Sequence, residues 1–372
     1  MSRDLGFDGL VDWLRGCDRC GPVDAAELAI RLYAGWYSGQ DGARVRDTVP
    51  MPGRSTLQAL LRAALMATGR FQRGWLVLES ARDGRCLAAR RDGRGQARWL
   101  EPGDFANLSR PGVPVAPGEA LAVSNRLQWL DAPTGFWAAR SLHAEPPHPL
   151  LRVYWSVDAH HVARLLTQLL PVLDRLKCAW SLKCPSVADA FTRRDALVLY
   201  LPRTVWPRAR RPLAAMAQAA APLLRDDRLP MACALARGVA WAESDNAEQS
   251  FGQARCEVLA AALLPWFGPA GASRATTPQA LRSALCAALR DAGVNPRQPW
   301  RAAALAAVPR SLAQPPMPAT GQTAPRAAQQ AAQQTAQQAA QQTTQAKPSD
   351  QADRADRGPV SHTLDTLLEA HP

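Results

Sequence analysis

From about residue 313 onward the chain loses nearly all of its large apolar side chains, and this bounds what can fold. AQPPMPATGQTAP leads into AAQQAAQQTAQQAAQQTTQ, a four-residue repeat of small and polar residues. Such a stretch cannot bury enough surface to offset the entropy of ordering it. The sequence therefore predicts a disordered Ala/Gln/Pro-rich tail over residues 311–372, closing on a short apolar segment. Residues 1–310 are expected to form one domain, its body running from about 25 to 305. That length suits a single large domain, and all twelve tryptophans of the chain lie within it.

Inside the domain the apolar period changes along the chain. Residues 6 to 38 and Leu57 to Ala67 repeat at helical spacing. Gly69, Gly74 and Asp83-Gly84 then mark a switch to short alternating runs. GWLVLES, GRCLAAR and ARWLEPGDF are read as strands, with turns at Asp83-Gly84 and Asp92-Gly93. Residues 109 to 149 are dense in Pro and Gly and are expected to form a long edge loop. Strands are expected at 151–157, 178–183, 196–201 and in ARGVAWAES. Helices are expected at 158–177, 207–225, 253–266 and 277–292, the last stopped by Gly293 and Pro296. The fold class that follows is α+β, a mixed or antiparallel sheet with flanking helices.

Charge and cysteines narrow the function classes. The formal net charge is +12, which attracts nucleic acid, anionic surfaces or phosphorylated ligands. Only Lys177, Lys183 and Lys347 of the 44 basic residues are lysines. A base must give up its proton, which Lys does on desolvation and Arg does not. The cysteines are scattered, as in a reducing compartment, and the lone CxxC at Cys17 and Cys20 lacks a second ligand pair, so no metal site is expected. No apolar run of about 18 residues is found, so no membrane span is expected, and no secretory signal pattern opens the chain. Phosphate-loop, dinucleotide, hydrolase-elbow and zincin motifs are absent, and no cofactor is expected. The arginines between Arg70 and Arg98 are interrupted by Glu79, Asp83 and Asp92 without a nucleic-acid-binding signature, so no nucleic-acid partner is expected.

The informative stretch is 151 to 256. It reads LRVYWSV, then SLK ending at Lys183, then TRRDALVLYL, then RGVAWAES, then QSFGQARC. Upstream stands ALMATGRFQRGWLVLE, and downstream GVNPRQPW at 293–300. In this order the pieces resemble the HopA-type effector family. That family includes type III secreted proteins and also lyases that dehydrate Ser and Thr in class V lanthipeptide and thioamitide biosynthesis. Its pattern runs as a strand like LYW-N-V, then F-x-L-K, R-x-D-x-x-V-L-Y, a T-K ahead of a G-V strand, and S-F-G-x-x-R-C. The chain departs from it at Ala232-Cys233, where the pattern has T-K.

The resemblance implies a chemistry and a set of residues. The lyases remove the α-proton of a phosphoserine or phosphothreonine and expel phosphate, which requires a base and cations on the leaving group. Lys183 matches the pattern's Lys and is the candidate base; the alternative is a lysine whose amine lies in water. Arg193 and Arg255 match the pattern's arginines as phosphate ligands, while Arg194 falls at a variable position and is expected to be a surface charge. Ser250 either holds phosphate or caps the helix after it. Asp195 orients Arg193 or Lys183, or forms an ordinary ion pair. Tyr154 and Tyr200 line the pocket or pack in the core. The implied partners are a phosphorylated precursor peptide and a kinase, in the cytoplasm. The alternative is a type III secreted or non-catalytic, protein-binding family member.

Overall fold

The computed structural model describes residues 7–16, 24–40, 51–92, 97–131, 134–142, 146–227, 229–243, 249–266 and 277–302. The expected tail and the Cys17–Cys20 pair lie outside them. Among the described residues are seven α-helices and two antiparallel sheets, an α+β architecture. No helix among them is long and apolar enough to cross a membrane.

The N-terminal helices are α1 (Phe7–Gly16), α2 (Ala25–Arg31) and α3 (Arg54–Ala67). Asp24 caps α2 by accepting the Glu27 N–H, one of the donors that a helix start leaves unpaired. Past Arg31 the helix widens into a π turn over Leu32–Tyr37, where the Ser38 N–H reaches back to the Tyr33 carbonyl at 2.8 Å. Such turns are frequent at functional sites.

The smaller sheet holds β1 (Phe71–Ser80), β2 (Cys86–Arg90), β3 (Arg98–Leu100), β4 (Phe105–Asn107) and β5 (Ala120–Ser124), in the order β3-β2-β1-β5-β4. The strand expected in ARWLEPGDF is two strands here, split by a turn at Glu101–Asp104 in which Gly103 takes φ +99°. One face packs Trp75, Val77, Cys86, Ala88, Leu100, Leu121 and Val123 into a core.

The larger sheet holds seven strands. They are β6 (Arg126–Asp131), β7 (Phe136–Ser141), β8 (Leu150–Trp155), β9 (Ser181–Pro185), β10 (Leu197–Pro202), β11 (Cys233–Ala236) and β12 (Val239–Glu243). Their order is β11-β12-β8-β10-β9-β7-β6. The expected edge loop over 109–149 is thus corrected: ALAVS, RLQWLD and FWAARS in that window are β5, β6 and β7. The prolines and glycines that suggested a loop bound these strands and do not interrupt them. ARGVAWAES likewise covers only part of a β11–β12 hairpin, turned at Gly238 with φ +65°.

Side chains alternate across the larger sheet. Leu151, Val153, Trp155, Leu197, Leu199 and Leu201 face one way and share a core with α4 (Val162–Arg175). Burying each such residue contributes roughly 1.5–3 kcal/mol. Trp206, opening α5 (Trp206–Ala219), packs on Trp241 of the same face, with ring centroids 4.9 Å apart. Helices α6 (Phe251–Leu263) and α7 (Pro278–Asp291) complete the domain.

Candidate functional site

The opposite face of the larger sheet carries the charge. Register places Tyr200 of β10 opposite Arg152 of β8 and Ser181 of β9, while Val198 stands between Tyr154 and Lys183. Arg152, Tyr154, Tyr200 and Lys183 therefore share one face. The Lys183 ammonium lies 5.9 Å from the Tyr200 ring centroid and 4.9 Å from that of Phe136. The Arg152 guanidinium lies 5.5 Å from the Tyr200 ring. Two cations thus converge on one ring, each gaining from its π face.

Among the described residues neither cation has a carboxylate partner. Arg152 is 5% exposed, donates through Nη2 to the Gln249 carbonyl at 2.8 Å, and leaves Nε buried without an acceptor. A buried charge with an unused donor is costly unless an anion completes it.

Arg193 is situated differently. Its guanidinium makes a two-pronged contact with Asp195 at 2.9 and 3.0 Å and also donates to the Tyr33 hydroxyl at 2.7 Å. Burial works against the Asp195 carboxylate, yet the Arg193 charge and the hydrogen bonds from Arg193, the backbone and Tyr33 together outweigh it and hold the carboxyl below its ordinary range. Burial, helped by the Asp195 charge, pushes the Tyr33 phenol up to about 12. Burial also raises Tyr37 and Tyr154 well above the usual range. These phenols stay protonated donors near neutral pH. The four tyrosines of the chain, Tyr33, Tyr37, Tyr154 and Tyr200, form one electrostatically coupled cluster.

The remaining expected residues act on the scaffold. Ser250 caps α6 in a reciprocal capping box with Gln253. Arg255, 2% exposed, donates to the carbonyls of Pro299 at 3.1 Å and Arg301 at 3.0 Å, with its guanidinium 4.8 Å above Phe251. Its position in this structure is that of a backbone clamp. Arg194, expected as a surface charge, is half-buried and donates to the carbonyls of Trp36 and Tyr37, at the end of the π turn. The reading of motifs missed Arg152, Tyr33 and Tyr37. Arg152 had a signal, a charged residue in an otherwise apolar strand; the tyrosines lie over a hundred residues away.

Cys233, where the family pattern has a Lys, stands opposite Trp241. That is the helix-covered face, so the departure removes no cation from the Lys183 face.

Two solved structures are similar in shape. One is the effector protein from Pseudomonas syringae pv. syringae strain 61, at 15% identity and a TM-score of 0.47, covering 82% of this chain and 99% of that one. The other is the effector protein from Pseudomonas syringae pv. tomato strain DC3000, at 17% identity and a TM-score of 0.35, covering 46% of this chain; this chain spans 64% of its length. No curated protein matches the chain. Residues 130–301, which carry the whole larger sheet apart from the first four residues of β6, match the model of the HopA1 effector protein family.

Proposed function

We propose that the chain binds a phosphorylated serine or threonine of a peptide against the Lys183–Tyr200–Arg152 row and eliminates phosphate from it. The observation that carries this is the pair of cations, Lys183 and Arg152, converging on Tyr200 with no carboxylate among the described residues to neutralise either. A phosphate monoester, with about −1.5 to −2 charges and three acceptor oxygens, supplies what both lack. In the reaction, Lys183 first gives a proton to water, and its amine then takes the α-proton of the phosphorylated residue on Nζ. The C–H electron pair forms the Cα=Cβ bond, and the Cβ–O bond breaks with its pair leaving on phosphate. The products are dehydroalanine or dehydrobutyrine and inorganic phosphate, and the step needs no co-reactant. Arg152 holds the phosphate. Arg193, Asp195 and Tyr33 brace the rim, while Ser250 and Arg255 act through α6. A kinase must act first, as the reaction that supplies the substrate.

A second reading comes from the family's description as effector proteins: the same row captures a phosphorylated protein without turning it over. One experiment separates the two. Incubating a phosphothreonine peptide with the full chain under single turnover, followed by mass spectrometry, should show loss of one phosphoric acid. Lys183→Arg should keep binding and lose elimination by about 10²–10⁴-fold, the size of a general-base contribution. Arg152→Gln should weaken binding. Binding without mass loss in the wild type supports the effector reading and overturns the lyase; full activity in Lys183→Arg overturns the base assignment.

A further inference from the structure

The outer face of the smaller sheet is apolar and has no covering element among the described residues. In register, Trp99 of β3 stands opposite Leu87 of β2. Leu76 of β1 stands opposite Ala89 of β2 and Ala120 of β5. The Leu108 N–H pairs with the Ala120 carbonyl, just beyond β4. Trp99, Leu87, Leu76, Ala120 and Leu108 thus form a band across all five strands, on the face opposite the Trp75–Val77 core. Leu78, at a bulge beside the band, is 47% exposed, Trp99 46% and Leu108 39%. Five strands at about 4.8 Å spacing make this band roughly 19 Å long. An exposed apolar strip of this extent marks an interaction surface.

The surroundings state the charge of what covers it. From Arg70 through Arg98 the chain carries eight arginines and three acids. Asp83 and Asp92 are consumed by Arg85 and Arg90, and Arg85 also lies 5.7 Å from the Trp99 ring. Arg73, Arg82 and Arg91 are exposed and carry no acidic partner among the described residues. We infer that this face docks an acidic amphipathic helix of a partner protein. A sheet face is ordinarily closed by a helix, and 19 Å matches roughly 13 residues of α-helix at 1.5 Å rise. Its leucine-type stripe covers Leu76, Leu87, Leu108 and Trp99, and its acids meet the arginines at the rim. Single-stranded nucleic acid fits less well, because base stacking needs several aromatics and the band offers only Trp99. An anionic membrane fits less well because Glu79 lies on the same face, opposite Leu87.

The test uses the full chain and a fluorescein-labelled helical peptide of Leu and Glu, with Leu at i, i+3, i+4 and i+7. Fluorescence anisotropy should show saturable binding that weakens with salt. A shuffled peptide and a Leu/Lys counterpart should not bind. Trp99→Glu should weaken binding at least about tenfold, and Leu108→Glu gives the same reading should the first variant disturb folding. Arg82→Glu with Arg91→Glu should weaken it and flatten the salt dependence. Phosphopeptide binding at Lys183 should stay unchanged in all of them. Equal binding of the shuffled peptide, or unchanged affinity in the variants, overturns the proposal. So does tighter binding of single-stranded RNA or phosphatidylserine vesicles that the same variants abolish.

Discussion

Replacing Asp104 by Asn should make the domain more stable in mild base and flatten its pH dependence. Asp104 ends the turn between β3 and β4 and is 1% exposed. Its Oδ2 accepts the Glu101 N–H at 3.3 Å, while Oδ1 is buried with no partner among the described residues. Burial is the main cause that pushes this carboxyl up to about 7, opposed by backbone N–H groups of Glu101 and Gln128. In the unfolded chain the same group titrates near 3.9. Between these values the folded state holds a proton that the unfolded state has lost, so stability falls as pH rises through that window. With about 1.4 kcal/mol per unit, the full loss is on the order of 4 kcal/mol above pH 7. Asn cannot ionise and keeps the shape. Urea unfolding of both proteins at steps from pH 4 to pH 8 measures the difference. The curves should lie closest at pH 4, differ by about 1.5 kcal/mol at pH 5 and diverge further, with the variant ahead by a few kcal/mol at pH 8. Parallel curves would refute the claim that Asp104 is desolvated.

Two further outcomes follow from α6. Gly252→Ala should destabilise by about 1–3 kcal/mol in thermal or urea unfolding, as overpacking does, because a Cβ there would lie under 3.0 Å from three carbons of the fully buried Tyr37 ring. Arg255→Gln should cost about 2–4 kcal/mol by removing charge-assisted bonds to the buried Pro299 carbonyl and to that of Arg301, and hydrogen exchange should show faster opening around residues 299–302.

Much of the larger sheet was legible because its strands announce themselves. ALVLYL is an unbroken apolar run and LRVYW is broken only by Arg152, and the two are neighbours in the sheet. Strands β5 to β7 are not legible, because they are only five or six residues long and the Pro and Gly around them dominate the composition of the window. The site was legible in part. Lys183, Tyr200 and Tyr154 lie on strands close in sequence, so strand pairing alone brings them to one face. Tyr33 reaches Arg193 across 160 residues of chain, a proximity that no local spacing encodes. Arg255 and Ser250 illustrate a different limit: a motif identifies residues that matter without saying whether they touch a ligand or hold the backbone.

That limit resolves once the motif SFGQARC is read as a structural device. Ser250 starts α6 by capping it. Phe251 packs against Tyr37, and Gly252, without a side chain, lets the Tyr37 ring lie directly on the helix. One turn on, Arg255 clamps the carbonyls of Pro299 and Arg301. Glu243 at the end of β12 takes up the same strap, accepting from the Arg301 guanidinium at 2.6 Å and the Ala302 N–H at 3.1 Å. Just before the cap, the Gln249 carbonyl accepts from Arg152. Helix α6 therefore joins three things: the π turn that carries Tyr33 and Tyr37, the strap over 299–302, and the guanidinium that faces Tyr200. Loosening any of them displaces the others, since the helix is their common support. A change at Gly252 should accordingly alter phosphopeptide affinity through Arg152 without touching Lys183. Binding and elimination would then separate: weaker binding with an undiminished single-turnover rate at saturation is the expected result, and an equal loss of both would place Gly252 closer to the chemistry than this arrangement allows.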